Sequence, residues 1–179
     1  SSYTNTAKDI TGPTVTFSPA NGATGVAVDR NITITFNEAV RKIDDSALTD
    51  SNVDALITLK TTNASGSDIG FDATIDTDKK VITINPSSDF SSEQVVYVAI
   101  GATVEDANDN AITASSATFT VLNTAATSVT FSPADGATDV SGSSNVTITF
   151  GEAMRNIDDS ALTDANVDAL ITLKSTDAS

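Results

Sequence analysis

The stretch that decides the fold is VTFSPANGATGVAVDRNITITF, residues 15–36. Its two ends alternate apolar residues with threonine, which is the period-two pattern of a half-buried β-strand. Between these ends, Pro19 and the Asn21-Gly22 pair are residues that favour turns. The stretch therefore predicts two short strands joined by a turn-rich connection.

Much of this stretch occurs twice, because residues 15–65 recur at 129–179 without a gap and with 38 of 51 positions identical. The offset of 114 residues is the length of a whole domain and is too long for a solenoid unit. We therefore expect tandem modules: a tail and linker from a preceding module at 1–11, a complete module at 12–125, and the first half of a second at 126–179. We also expect the chain to be a segment of a longer one.

Further strand signals fill one period of the repeat. Together with the strands at 14–17 and 32–36, the predicted strands are 57–60, 71–75, 82–84, 95–100 and 117–121. The run at 95–100 is apolar on both faces, as a central strand can be. About seven short strands in a module of this length are typical of an immunoglobulin-like sandwich.

One helical segment is predicted within the period. Residues 43–56 lie between the second and third predicted strands, and Asp45 or Ser46 could cap a single turn there. We therefore predict an all-β fold of immunoglobulin-like antiparallel β-sandwich modules in tandem. Each module should have about seven strands and one short helical turn between the second and third strands.

The composition is that of an acidic protein that lacks His and Cys. There are 24 acidic against 9 basic residues, a net charge of -15, and neither His nor Cys. This acidity argues against nucleic acid and anionic membranes as partners. The usual catalytic triads and zinc sites need His or Cys, so we expect no enzyme. No apolar run approaches the ~20 residues that span a bilayer, so we expect no direct membrane insertion.

Three segments resemble a known family. FSPANGATGVAVDRNITITFNEAV (17–40) resembles its opening strand, its S-P-x-[ND]-G-A-T turn and its strand ending in F-[NS]-E-x-[VM]. SSEQVVYVAIGATVEDANDNAI (91–112) resembles its Tyr-containing strand and the loop that follows, and ATFTV (117–121) its last strand. The module thus resembles the bacterial Ig-like domain of the SbsA or Big_5 type, over 14–122 fully and over 128–179 as a half module.

This resemblance implies a function. It implies a non-catalytic spacer and assembly module in a large bacterial extracellular or cell-surface protein, such as an adhesin stalk, a surface layer or a fibre. The implied partners are neighbouring modules of the same longer chain, with self-association into a fibre or layer. The alternative is a carbohydrate- or protein-binding Ig-like accessory module of a secreted enzyme.

The loop VEDANDNAI, residues 104–112, also resembles the D-x-N-D-N calcium linker of cadherins. Its calcium candidates are Asp106, Asn108, Asp109 and Asn110. The loop lies inside one module, however, and the junction at 122–128 contains no carboxylate. Because calcium needs six to eight oxygen ligands, a polar Asx-rich turn is the favoured interpretation and no cofactor is expected. Asp109 stands where the family usually has Gly, so a left-handed backbone is expected there.

A second acidic segment is RKIDDSALTD, residues 41–50. Asp44, Asp45 and Asp50 could form an acid pair for glycoside chemistry or a metal cluster. Aromatic residues make up only 5% of the chain, which leaves few rings to stack on sugars. We therefore interpret these residues as capping groups in a solvated loop.

Overall fold

The computed structural model describes residues 7–175, in two compact units. Unit 1 is Ser1–Thr124 and unit 2 is Ala125–Ser179. Residues 1–6, which belong to the predicted tail, lie outside the described residues, as do 176–179. Within the described part of the chain, no helix has the length and apolar character needed to cross a membrane.

The described residues of unit 1, 7–124, form nine strands and one 3-10 helix of three residues. The strands are β1 (Val15–Ser18), β2 (Ile32–Phe36), β3 (Arg41–Lys42), β4 (Ile57–Thr61), β5 (Phe71–Ile75), β6 (Val81–Pro86), β7 (Val95–Ile100), β8 (Val104–Glu105) and β9 (Ser115–Thr120). The 3-10 helix is Asp54–Leu56. The two strands beyond the predicted seven are β3 and β8. Each has two residues, which is too short to show an alternating pattern.

The strands of unit 1 form antiparallel sheets. One has the order β1-β2-β6-β5, another has the order β4-β7-β9, and β3 pairs with β8 in a small third sheet. Strand β7 is the central strand of its sheet, as its continuous apolar run predicts. The architecture is all-β and is consistent with an immunoglobulin-like β-sandwich.

The core lies between the two larger sheets. Alternate residues of each strand point inward, so Ile32, Ile34 and Phe36 of β2 are almost fully buried. The rings of Phe90 and Phe119 meet edge to face, with their centroids 5.8 Å apart. Each fully buried aliphatic or aromatic side chain contributes about 1.5–3 kcal/mol relative to an exposed one.

The turn after β1 covers the outer edge of β9. Gly22 N donates to Thr118 O at 2.7 Å, and Asn21 Oδ1 accepts from Thr118 N at 2.9 Å. Leu122 N donates to Val26 O at 2.8 Å. Gly22 has a φ of 81°, a left-handed conformation that glycine adopts without strain. The Pro-Ala-Asn-Gly turn therefore satisfies backbone groups at a sheet edge that would otherwise invite another chain.

Unit 2 repeats the first part of unit 1. It contains β10 (Val129–Ser132), β11 (Thr147–Phe150), the helix α1 (Asp164–Val167) and a 3-10 helix (Asp168–Leu170). Strands β10 and β11 pair in the register of β1 and β2, because Val129 faces Phe150 as Val15 faces Phe36.

The predicted cap of the helical turn is wrong. The turn lies between β3 and β4 and begins at Asp54, with Val53 at its N-terminal boundary and no side-chain cap. Asp45 has a left-handed φ of 66°, and Ser46 donates its N–H to Asp44 Oδ1 at 3.0 Å. The expected capping residues are thus held in a separate local turn upstream of the helix.

Candidate functional site

A group of charged and polar side chains in unit 1 is built on the small β3–β8 sheet. Its register places Arg41 opposite Glu105 and Lys42 opposite Val104. The loop after β8 is therefore held against the loop after β3. The acidic segments at 41–50 and 104–112, distant in sequence, lie side by side.

Arg41 sits among three carboxylates, one on β8 and one in each of the two adjoining loops. Its Nη2 lies 2.7 Å from Asp45 Oδ1 and 2.7 Å from Asp109 Oδ1, and its Nε lies 3.3 Å from Glu105 Oε1. Lys8 Nζ lies 3.6 Å from the other Asp109 oxygen. We call these five residues the Arg41 cluster. Glu105 is the buried member, so its pairing with Arg41 offsets the cost of removing a charge from water.

Asp106 holds the loop after β8 from inside. It is 1% exposed, and its Oδ1 accepts from Asn108 N at 2.7 Å and from Asn110 N at 2.9 Å. Its Oδ2 accepts from Asn110 Nδ2 at 2.8 Å. Burial by itself would raise the pKa of this carboxyl, but the hydrogen bonds from Asn110 and Asn108 and the charge of Arg41 lower the pKa below its ordinary value. Asp106 is therefore an ionised acceptor that closes an Asx-type turn.

The four calcium candidates are divided between these two arrangements. Asp106 and Asn110 bind each other, and the backbone N–H of Asn108 joins them. The carboxylate of Asp109 instead contacts Arg41. Asp109 has a φ of 69°, which confirms the left-handed backbone expected where the family usually has Gly. The four residues are thus engaged with two different partners, and calcium binding at this loop stays a prediction.

Two acidic groups in the described residues have the spacing to hold a metal ion. In the first, carboxylate oxygens of Asp45, Glu105 and Asp109 lie within 4.8 Å of one another, and in the second those of Asp9, Glu38 and Asp106 do. In the first, the guanidinium of Arg41 contacts all three carboxylates and offsets one of their three negative charges. In the second, both oxygens of Asp106 accept N–H groups. Three carboxylates, even when each binds through both oxygens, supply at most six of the six to eight oxygens of a calcium ion.

The acids of residues 41–50 have separate structural roles. Hydrogen bonds from the Ser46 hydroxyl and backbone lower the pKa of Asp44 to about 2. Asp50 Oδ1 instead accepts from Ile75 N at 2.9 Å, and Asp54 Oδ1 accepts from Ala73 N at 2.8 Å. Strand β5 is an edge strand, so Asp50 and Asp54 satisfy N–H groups that no neighbouring strand reaches.

Asp50 and Asp54, which bind the edge strand β5, are called the edge acids. Sequence reasoning missed both the Arg41 cluster and these edge acids for the same reason. Arg41 is 64 residues from Glu105, and Asp50 is 25 residues from Ile75. Neither spacing follows a helical or strand period. The one usable signal was the density of Asp beside a lone Arg at 41–45. This pattern indicates an ion pair but does not identify the distant partners, Glu105 and Asp109.

Two solved structures align with part of this chain. CopC from Methylosinus trichosporium OB3b aligns over 64% of this chain and 97% of its own, with 16% identity and a TM-score of 0.42. The LD transpeptidase LdtMt1 in complex with imipenem aligns over 66% of this chain, with 19% identity and a TM-score of 0.37. The alignment spans only 42% of the LD transpeptidase chain. At these scores neither likeness bears on function.

No curated protein matches the sequence. A family model does match: the bacterial Ig-like domain, Big_5, over residues 9–121. The matched region spans β1 to β9, and the family is one of non-catalytic domains. The chain belongs to the Big_5 family of bacterial Ig-like domains.

Proposed function

We propose that this chain is a non-catalytic structural part of a large bacterial extracellular or cell-surface protein. In this proposal 1–11 is a tail from a preceding module, 12–125 is a complete Ig-like module and 126–179 begins a second. The modules act as spacers and assembly units of a stalk, layer or fibre. Their partners are neighbouring modules, with self-association into the larger structure.

The observation that carries this proposal is what the two copies share. Of the 13 differences between 15–65 and 129–179, seven fall within 21–32, mostly in the turn and the connection before β2. Inward positions such as Phe17, Ile34 and Leu59 are the same in both copies. The shared feature is thus a packing scaffold, as expected for spacer modules.

The polar groups of unit 1 support the same interpretation. The described carboxylates of Asp44, Asp50, Asp54 and Asp106 accept hydrogen bonds from the chain's own backbone. Asp109 is paired with Arg41 and Lys8. These groups stabilise turns and a sheet edge and are not arranged as an acid and a base around a substrate.

Surface digestion tests the location. Intact bacteria that make the protein are treated with protease, and an antibody against unit 1 follows its loss. We expect the antibody signal to disappear while a cytoplasmic marker is retained. Loss of the signal only after lysis would contradict the proposal.

The mass of the native protein tests whether the chain belongs to a protein of many modules. Denaturing electrophoresis with the same antibody should show a mass far above the 18.3 kDa of these 179 residues. A band near that mass would contradict a multi-module stalk.

A further inference from the structure

Unit 2 has an apolar face that none of its described residues, 125–175, covers. Ten residues, all apolar, line a cavity of about 530 Å³ on this face. They include Val129 and Phe131 of β10, Ile148 and Phe150 of β11, and Ile171 and Leu173 beyond the 3-10 helix. We call these ten residues the open face. Contiguous exposed apolar surface of this kind marks an interaction site.

Unit 1 shows what covers this face. Every residue of the open face has an apolar counterpart 114 positions earlier, and those counterparts lie in or against the core of unit 1. Phe150 is 42% exposed and Leu173 is 81% exposed, whereas their counterparts Phe36 and Leu59 are 1% and 2% exposed. The difference comes from the segment 66–121, which supplies β5 to β9 in unit 1.

Backbone and polar groups of unit 2 are also placed for such a segment. Strand β4 of unit 1 is paired with β7, whereas its counterpart at 171–175 forms no strand among the described residues. Asp50 and Asp54 accept the N–H groups of Ile75 and Ala73 in β5. Their counterparts, Asp164 and Asp168, lie exposed beside the open face.

We propose that the open face of unit 2 docks a polypeptide segment with the strand pattern of residues 66–121, the closing half of a module of this family. Apolar side chains of that segment fill the cavity, and its strands pair with β11 and with 171–175. A carboxylate of Asp164 or Asp168 receives N–H groups of its edge strand. This proposal concerns assembly and does not depend on the extracellular location proposed above.

A second copy of the chain is a poorer occupant. Its own segment 66–121 already covers its own unit 1. Donating that segment to a neighbour would expose another front half with the same apolar residues. Exchange between copies therefore leaves as much apolar surface in water as it removes.

The direct test adds the closing half in trans. The full 179-residue chain, isotopically labelled, is titrated with an unlabelled polypeptide of residues 66–124. We expect one-to-one binding, NMR shifts confined to unit 2, and slowed amide exchange at 171–175. Absence of binding to a soluble polypeptide would overturn the proposal.

Matched variants distinguish docking on the open face from non-specific hydrophobic association. The double variant Phe131→Asp and Leu173→Asp should weaken binding by about 100-fold or more, because it places two charges in the apolar contact. Thr130→Asp changes the opposite face of β10 and should leave binding within about 3-fold. Equal losses in both variants would contradict docking on the open face.

A version in cis covers the case in which the free polypeptide aggregates. Residues 66–124 are repeated directly after Ser179, where the repeat places them. The extended chain should lose hydrophobic-dye binding and gain a second cooperative unfolding transition, and Leu173→Asp should abolish that transition alone. An extended chain that keeps its dye binding and shows one transition would overturn the proposal. A dimer of the unextended chain that the polypeptide cannot displace would assign the face to a second copy and would also overturn it.

Discussion

The segments ITITF at 32–36 and VTITF at 146–150 differ by one methylene group and lie in opposite environments. In unit 1 the residues Ile32, Ile34 and Phe36 are at most 1% exposed, whereas Phe150 in unit 2 is 42% exposed. Each segment nevertheless contributes a strand that pairs antiparallel with the strand before it, β1 or β10, in the same register. Local sequence therefore specifies the strand pair, and the distant second half of the module specifies its burial.

The turns of the two units show where local specification is sufficient. Asp44 accepts from Ser46 in unit 1, and Asp158 accepts from Ser160 in unit 2 in the same way. The partners are two residues apart in each case, so neither turn needs the second half of a module. By contrast, Arg41 has three carboxylate partners, whereas its counterpart Arg155 has an ion pair with Asp159.

The largest contrast between the units is expected at the equivalent positions Phe36 and Phe150. Phe36→Ala should lower the free energy of unfolding of unit 1 by about 3–5 kcal/mol, because it leaves a cavity in the core. Phe150→Ala should change it by less than about 0.5 kcal/mol, since that ring is already exposed and lies in unit 2. Urea unfolding followed by circular dichroism and by tyrosine fluorescence measures both. Equal losses would show that the two positions share one environment.

The edge acids should give a smaller contrast. Replacing Asp50 and Asp54 together by Ala leaves two N–H groups of β5 without acceptors and should lower the unfolding free energy by about 2–3 kcal/mol. The matched double variant at Asp164 and Asp168 should change it by less than about 0.5 kcal/mol. The same urea unfolding compares them. If the first pair had no effect, water would be satisfying the strand edge as well as the carboxylates do.

A still smaller difference in unfolding free energy is expected between variants at Arg41 and at its counterpart Arg155. Arg41→Met should cost about 1–2 kcal/mol, because Glu105, with a side chain 9% exposed, loses its partner. Arg155→Met should cost less than about 0.5 kcal/mol, because its pair with Asp159 is exposed on both sides. Thermal unfolding at low and high salt checks both variants. A strong salt effect on the Arg155 variant would contradict this assignment.

The smallest difference is expected between the Asp-Ser turns. The hydroxyl and backbone of Ser46 lower the pKa of Asp44 to about 2, and those of Ser160 lower the pKa of Asp158. Because the folded pKa is depressed, the Asp44 turn contributes stability above its ordinary value of 3.8 and loses it as the pH falls toward about 2. NMR titration should show both carboxyls below their usual range. Ser46→Ala and Ser160→Ala should each raise the neighbouring pKa, and a rise in one unit alone would contradict a local origin.

The sequence could predict the features that depend on short-range pattern. Alternation of apolar residues with threonine marks β2, and the apolar run of 95–100 marks the central strand β7. The left-handed backbone of Asp109 was also predictable, because the family has Gly at that position. In each case the feature depends on side-chain alternation or backbone geometry within a few residues of the sequence pattern that predicts it.

The candidate site was less predictable because its partners come from separate loops. The D-x-N-D-N loop contains enough oxygens to suggest calcium, yet its pattern does not say which carboxylate turns inward. In the structure, Asp106 accepts hydrogen bonds from its own loop. Asp109 instead pairs with Arg41, and these two residues are 68 positions apart in the sequence. Such pairings depend on the register of β3 with β8, two strands too short to be seen in sequence.

The most direct test of the contrast between the units is hydrogen–deuterium exchange on the unmodified chain. Peptides containing 32–36 and 146–150 are followed in one experiment, so that temperature and pH are common to both. Amides of β2 should exchange at least about 1,000-fold more slowly than unstructured amides, since they open only with the whole core. Amides of β11 should exchange within about 10-fold of that reference, because an isolated strand pair is marginally stable. Equal protection of the two segments would contradict the account, because it would mean that unit 2 has a closed core of its own.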